Sequence, residues 1–150
     1  MSTEAPSAGR FEGREHRLPV RVYYEDTDFS GVVYHASYAR FFERGRTDFL
    51  RLAGVGHTDL LQLDPPLAFV VVRLAIDFVR PARIDEALEV RTLYKVARGA
   101  RFEIDQSLWR GEDRIAAAEI HAACIDLTGR PRRLPNDVMS KLSPHLSATG

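Results

Sequence analysis

The hydrophobic positions of this chain change period several times, and each change marks a boundary. Leu18, Val20, Val22 and Tyr24 alternate with Pro19, Arg21, Tyr23 and Glu25, the period of two that a half-buried strand requires. From Tyr38 the apolar residues recur at Tyr38, Phe41, Phe42, Phe49, Leu52 and Ala53, leaving Arg40, Glu43, Arg44, Thr47 and Arg51 for a polar face. That spacing predicts one long amphipathic helix. Ser37 is placed to cap its start, and Gly54 to end it in a left-handed conformation. Residues 54–66 are turn-rich with an apolar cluster at Leu60, Leu61 and Leu63, which predicts a connector containing about one helical turn.

Alternation returns at Val70, Val72, Leu74, Ile76 and Phe78, predicting a strand that Pro81 closes. Leu88, Val90, Thr92, Tyr94 and Val96 predict the next strand, and Phe102, Ile104, Gln106 and Leu108 the one after, with turns at Gly99 and Gly111. Such short connections join antiparallel neighbours. The run from Arg114, RIAAAEIHAACIDL, is ambiguous, because alanine is the best helix former. Its place after a hairpin turn, and Ile115, Ile120 and Ile125 without a helical stripe, favour a strand whose small side chains let a packed helix approach closely. Asn136 is placed to cap a short terminal helix after Pro131 and Pro135. The sum is an α+β fold: a five-stranded antiparallel sheet with one long helix inserted after its first strand. Burying the apolar face of that helix favours laying it against the concave side of the sheet. The open sheet edges invite pairing with a second copy.

Composition narrows the picture. At 150 residues the chain suits one domain, able to bury about 70% of the surface its unfolded form exposes. Basic and acidic residues balance at 21 each, so no global field points to nucleic acid or to a membrane surface. The single cysteine, Cys124, excludes an intrachain disulfide and reads as a buried inert thiol. His57, His121 and His145 have no metal-ligand spacing, and no stretch reaches a membrane-spanning length. These features predict a cytoplasmic protein without a metal or redox cofactor. Residues 1–16 are small and polar and predict a flexible segment, residues 17–135 the folded domain, and residues 136–150 a short helix and tail.

Between strand and helix lies EDTDFSGVVYHAS, a loop crowded with carboxylates that runs straight into a helix N-terminus. Such an end offers unpaired N–H donors and about half a positive charge. Asp28 precedes Gly31 by three residues, so its carboxylate can sit beside those donors with no side chain at Gly31 in the way. Asp26 reads as a structural residue that holds the loop through its own hydrogen bonds. Glu43, with Arg44 and Arg46 beside it, reads as a solvated ion pair. Tyr34 and His35 each have an ordinary reading as well, in packing and in satisfying local backbone.

The stretch YYEDTDFSGVVYHASYARFFERGRTDFLR resembles the hotdog-fold thioesterases of the 4-hydroxybenzoyl-CoA thioesterase type, and is most similar to the Tol-Pal-associated acyl-CoA thioesterase branch. FVRPARIDEALEV and VARGARFEIDQ are weaker matches, and residues 17 to 135 carry the likeness. The resemblance implies a helix wrapped by the sheet, two subunits joined sheet edge to sheet edge as a homodimer or homotetramer, and active sites at the subunit boundary. It makes Asp28 the catalytic carboxylate, as nucleophile or as base for water, and puts the main-chain N–H at His35 on the thioester carbonyl oxygen. Gly31 and Tyr34 then belong to the substrate site. Arg98 and Arg101, flanking a glycine turn, become candidates for the phosphates of coenzyme A, which is part of the substrate; the same pantetheine arm on an acyl carrier protein is the other candidate. Other classes compatible with these residues are a hotdog hydratase or dehydratase, a non-catalytic acyl-thioester or carrier-protein binding module, and a structural partner of an envelope complex.

Overall fold

A computed structural model of the chain describes residues 3–147; residues 1–2 and 148–150, at the extremes of the expected flexible segment and tail, lie outside them. The sheet has six antiparallel strands, not five. They are β1 (Arg10–Glu12), β2 (Glu15–Arg21), β3 (Leu67–Phe78), β4 (Ala87–Arg98), β5 (Arg101–Arg110) and β6 (Asp113–Asp126), in the spatial order β1-β2-β4-β5-β6-β3. The added strand is β1, which pairs Phe11 with His16. Ordered structure therefore begins upstream of Arg17. The first long strand also ends earlier than alternation suggests, because Tyr24–Asp26 forms a 3-10 turn held by the Tyr23 N–H donating to Asp26 Oδ2 at 2.8 Å.

Helix α1 spans His35–Ala53, 19 residues, about 28 Å at 1.5 Å per residue. It is short beside the 14-residue β6, which extends about 46 Å. The helix starts at His35 with Tyr34 as its capping position, and Ser37 is buried in the first turn without acting as a cap. Gly54 ends it at φ 89°, with its N–H on the Arg51 and Leu50 carbonyls. Phe41, Phe42 and Phe49 are fully buried, each worth about 1.5–3 kcal/mol in surface removed from water. Close approach to the sheet is made on the helix, by Gly45, where a Cβ would stand 2.6 Å from Val90 Cγ1 and 2.9 Å from Thr92 Oγ1. The alanine-rich run is β6, as its setting after a turn predicts, and Ala116, Ala118 and Ala122 are buried in the core.

The connector holds α2 (His57–Leu61), and α3 (Asn136–Leu142) follows Pro135, which takes the capping position in place of Asn136. Val138, Leu142 and Leu146 close the core, and the Ser147 N–H reaches Tyr94 O. Cys124 is buried, and that burial pushes its thiol up to about 11. One edge of the sheet is β3, and along it Val70, Val71, Val72, Leu74, Phe78 and Val79 are exposed.

Candidate active site

The loop ahead of α1 is a small hairpin. Thr27 bridges Val33, the Asp28 N–H donates to Val32 O at 2.9 Å, and Gly31 turns the chain at φ 84°. A side chain at Gly31 would meet open space, so the backbone conformation is what calls for glycine there. Val33 N–H donates to Ala82 O and Tyr34 N–H to Asp26 O; the buried Asp26 thus holds the loop from both its backbone and its side chain. Immediately afterwards, the N–H groups of His35 and Ala36 have no acceptor among the described residues. They form the donor-bearing tip of the helix.

Asp28 sits at the exposed end of this hairpin, lining a cleft of about 540 Å³ with Tyr24, Thr27, Phe29, Gly31 and Ile84. Its Oδ1 accepts from Ser30 N–H at 2.8 Å and from Ser30 Oγ at 2.6 Å, and the backbone N–H groups of Val32 and of Asp28 itself also favour the charged carboxyl. The Ser30 hydroxyl and N–H, in that order, lower the Asp28 pKa from its ordinary value. The carboxylate is therefore ionised at neutral pH, clamped by Ser30 at the edge of the cleft. Phe29 is wholly exposed beside it, at 109%, an apolar ring that none of the described residues covers.

The side chain of His35 lines a neighbouring cleft of about 290 Å³, with Val33, Tyr38, Phe78, Val79, Arg80 and Pro81. The exposed Tyr34 ring lies tilted against the His35 ring, with centroids 4.4 Å apart and planes at 51°. Asp28 and Gly31 thus share one cleft, while the His35 ring faces another; what His35 holds in common with the loop is its main chain. Arg98 and Arg101 face each other across the β4–β5 turn. That turn lies by Ala123 and Cys124, at the Leu67 end of β3, whereas the Asp28 loop is tied to Ala82 and Arg83 beyond its Phe78 end. The 12-residue strand between covers about 40 Å. Within one copy of the chain, the two arginines and Asp28 stay apart.

Glu43 makes no ion pair with Arg44 or Arg46 among the described residues; its Oε1 accepts from Thr47 Oγ1 at 2.7 Å, four residues on along the same helix face. Arg46 turns inward to Gln106 Oε1 at 3.0 Å. Ser30 is the residue that the sequence reading passed over, although an Asp-x-Ser spacing in a turn is the pattern for this clamp. Phe29, Ile84 and Phe78 were also missed, since their relevance appears only when separate segments meet. No group of three or more His, Cys, Asp or Glu side chains among the described residues converges in a metal-binding arrangement.

A helix set on a six-stranded antiparallel sheet, its donor tip preceded by a carboxylate-bearing hairpin, defines a hotdog-type thioesterase fold. The family model of the Thioesterase-like superfamily matches residues 22–142, and the chain belongs to that family. It is 45% identical over 122 residues to the acyl-CoA thioesterase YbgC of Haemophilus influenzae, covering 81% of this chain and 89% of that protein. It is 40% identical to the acyl-CoA thioester hydrolase YbgC of Escherichia coli, covering 83% and 93%. Among solved structures, a probable thioesterase from Bartonella henselae superposes with a TM-score of 0.78 at 46% identity, over 81% of this chain and 99% of that one.

Proposed function

We propose that the chain hydrolyses acyl-CoA to the free acid and coenzyme A, with Asp28 as its reactive carboxylate. The observation that carries this reading is the exposed, cleft-lining carboxylate of Asp28 on a hairpin whose far strand runs directly into two N–H groups, at the start of α1, without an acceptor among the described residues. A thioester carbonyl oxygen set against the His35 and Ala36 N–H groups is polarised where negative charge develops. The Asp28 carboxylate either attacks the carbonyl carbon, giving a mixed anhydride that water then cleaves, or takes the proton from an attacking water. In both routes the C–S bond breaks and the thiolate of coenzyme A leaves, and water is the only other reactant. Coenzyme A thus enters as substrate, and the reaction as written needs no cofactor.

Two copies of the chain join through β3 in this account. That edge exposes Val70, Val71, Val72, Leu74, Phe78 and Val79 in a row, an arrangement that single chains avoid leaving open. Antiparallel pairing of β3 with its own copy about a two-fold axis near Leu74 covers the row. It also carries the Arg98–Arg101 turn of one copy toward the Asp28 loop of the other. Phosphates of coenzyme A are the ligand class those arginines suit. No described helix is long and apolar enough to cross a membrane, and the cytoplasm, where acyl-CoA is made and used, is the compartment this reading assigns.

Thiol release from a panel of short, long and aromatic acyl-CoA substrates tests the proposal, with an enoyl-CoA and an acyl carrier protein thioester alongside. Turnover of acyl-CoA with one thiol freed per acid formed is the expected result. Hydration of the enoyl-CoA without thiol release, or tight thioester binding with no release from any substrate, overturns it.

A further inference from the structure

A third cavity, of about 150 Å³, lies beside α1 and is walled by Leu50, Phe69, Tyr94, Phe102 and Ile104. Its size matches apolar cavities that accept benzene, so it holds about six carbon-sized atoms. One group in it is out of character: the guanidinium of Arg46. Burial lowers the Arg46 pKa, and Tyr94 and Glu43 offset this only in part, with no carboxylate among the described residues within ion-pair distance of the guanidinium. One of its five N–H donors goes to Gln106 Oε1, and Gln106 is itself fixed by Nε2 donating to Phe42 O at 2.8 Å and Thr92 Oγ1 at 2.9 Å. Arg46 is only partly buried and lines the cavity, and Gln106 is the one hydrogen-bond partner of its guanidinium among the described residues, so donors remain for a ligand there. Glu43 and His57 also line it, and both are engaged by Thr47 Oγ1, at 2.7 and 3.2 Å.

We infer that this cavity is the acyl pocket, and that Arg46 selects a compact acyl group whose far end carries a carboxylate. A plain alkyl tail of the same length strips water from the guanidinium and returns nothing, whereas a carboxylate restores its hydrogen bonds. The inference rests on the thioesterase reading and on β3 pairing. Val70 and Val71 line this cavity, while Phe78 and Val79 line the His35 cleft. Antiparallel pairing about Leu74 sets Val70 of one copy against Phe78 of the other, so the pocket of each copy adjoins the donor-bearing helix tip of its partner. The thioester is held at one copy's helix tip and its acyl tail enters the other copy.

The test compares glutaryl-CoA, valeryl-CoA of equal chain length, and palmitoyl-CoA with the intact protein, Arg46→Gln and Arg46→Lys. Wild type is expected to favour glutaryl over valeryl by about tenfold or more in kcat/KM and to use palmitoyl poorly. Arg46→Gln, whose amide still reaches toward Gln106, erases that preference by raising KM for glutaryl-CoA while valeryl-CoA turnover persists; Arg46→Lys restores part of it. An unchanged glutaryl-to-valeryl ratio in Arg46→Gln, or full activity in a monomeric Leu74→Lys variant, overturns the inference. Calorimetric affinities of an Asp28→Asn protein for the two five-carbon thioesters read the same contrast without turnover. A preference kept in binding but with no wild-type hydrolysis sinks the thioesterase reading and leaves the pocket assignment standing.

Discussion

His16 Nε2 lies 2.7 Å from Asp48 Oδ2 in the core, joining β2 to the middle of α1. The same Oδ2 accepts the Gly9 N–H at 2.8 Å, so one carboxylate anchors both the strand and the residue that precedes β1. Nδ1 of His16 is sealed without a partner among the described residues. A neutral ring protonated on Nε2 and donating to the carboxylate satisfies that arrangement, because an unpaired lone pair costs less than an unpaired buried N–H. Asp48→Ala is expected to cost about 1.5–3 kcal/mol, the range for a hydrogen bond to a charged group, read as a lower midpoint in urea.

Stability should also depend on pH through this histidine. Burial lowers the His16 pKa from 6.5 by more than Asp48 raises it. On acidification the unfolded chain takes up the proton first, so the stabilising contribution is complete above about 6.5 and is lost as pH falls through the folded value. His145, which stacks on Phe11 at 4.3 Å, is shifted the same way by burial and by Arg14. The thermal midpoint is expected to fall between pH 7.5 and 5, and to fall less in His16→Gln. Equal slopes in the two proteins would assign the effect elsewhere.

Gly45 is the contact on which the helix-to-sheet distance depends. A Cβ there would meet Val90 Cγ1 at 2.6 Å, Thr92 Oγ1 at 2.9 Å and Gln106 Nε2 at 3.0 Å, and Gln106 is held by two hydrogen bonds of its own. Gly45→Ala therefore forces α1 outward despite the better helix propensity of alanine. Overpacking of this kind costs about 1–3 kcal/mol, measured by equilibrium unfolding. A stabilised variant would mean that the sheet yields more readily than its bonded side chains imply.

Much of this architecture is visible in the residue pattern, and the exceptions share a cause. The alternation of Leu88 through Val96, and of Phe102 through Leu108, marks β4 and β5 because each alternate side chain enters the core. β1 has three residues and only Phe11 to bury; it is held by Phe49 and His145, contacts far away along the chain that no local window reports. His16 and Asp48 read as ordinary polar positions until both prove to be buried. The apolar stripe alone puts the start of α1 late, because His35 and Ala36 add nothing to it. At the site, Asp28 and Gly31 could be picked out by spacing and resemblance. The separation of the His35 ring from Asp28 depends on how the loop crosses Ala82, which comes from another part of the chain.

The clamp on Asp28 makes its own prediction. Ser30 donates twice to Oδ1 and holds the carboxyl below its ordinary range. Ser30→Ala removes the hydroxyl and lets the Asp28 pKa rise. Catalysis needs the ionised form, present above the pKa and lost as pH falls through it, so the acidic limb of kcat/KM moves to higher pH in the variant. A limb that stays in place would show that another group sets it.

The most direct measurement is kcat/KM of Asp28→Asn on the best acyl-CoA substrate, with thioester affinity measured on the same preparation. Asparagine keeps the shape and the Ser30 contacts but supplies neither an anionic nucleophile nor a base. The account predicts a loss of about 10²–10⁴-fold in turnover with affinity preserved. Turnover equal to that of the parent protein would contradict it.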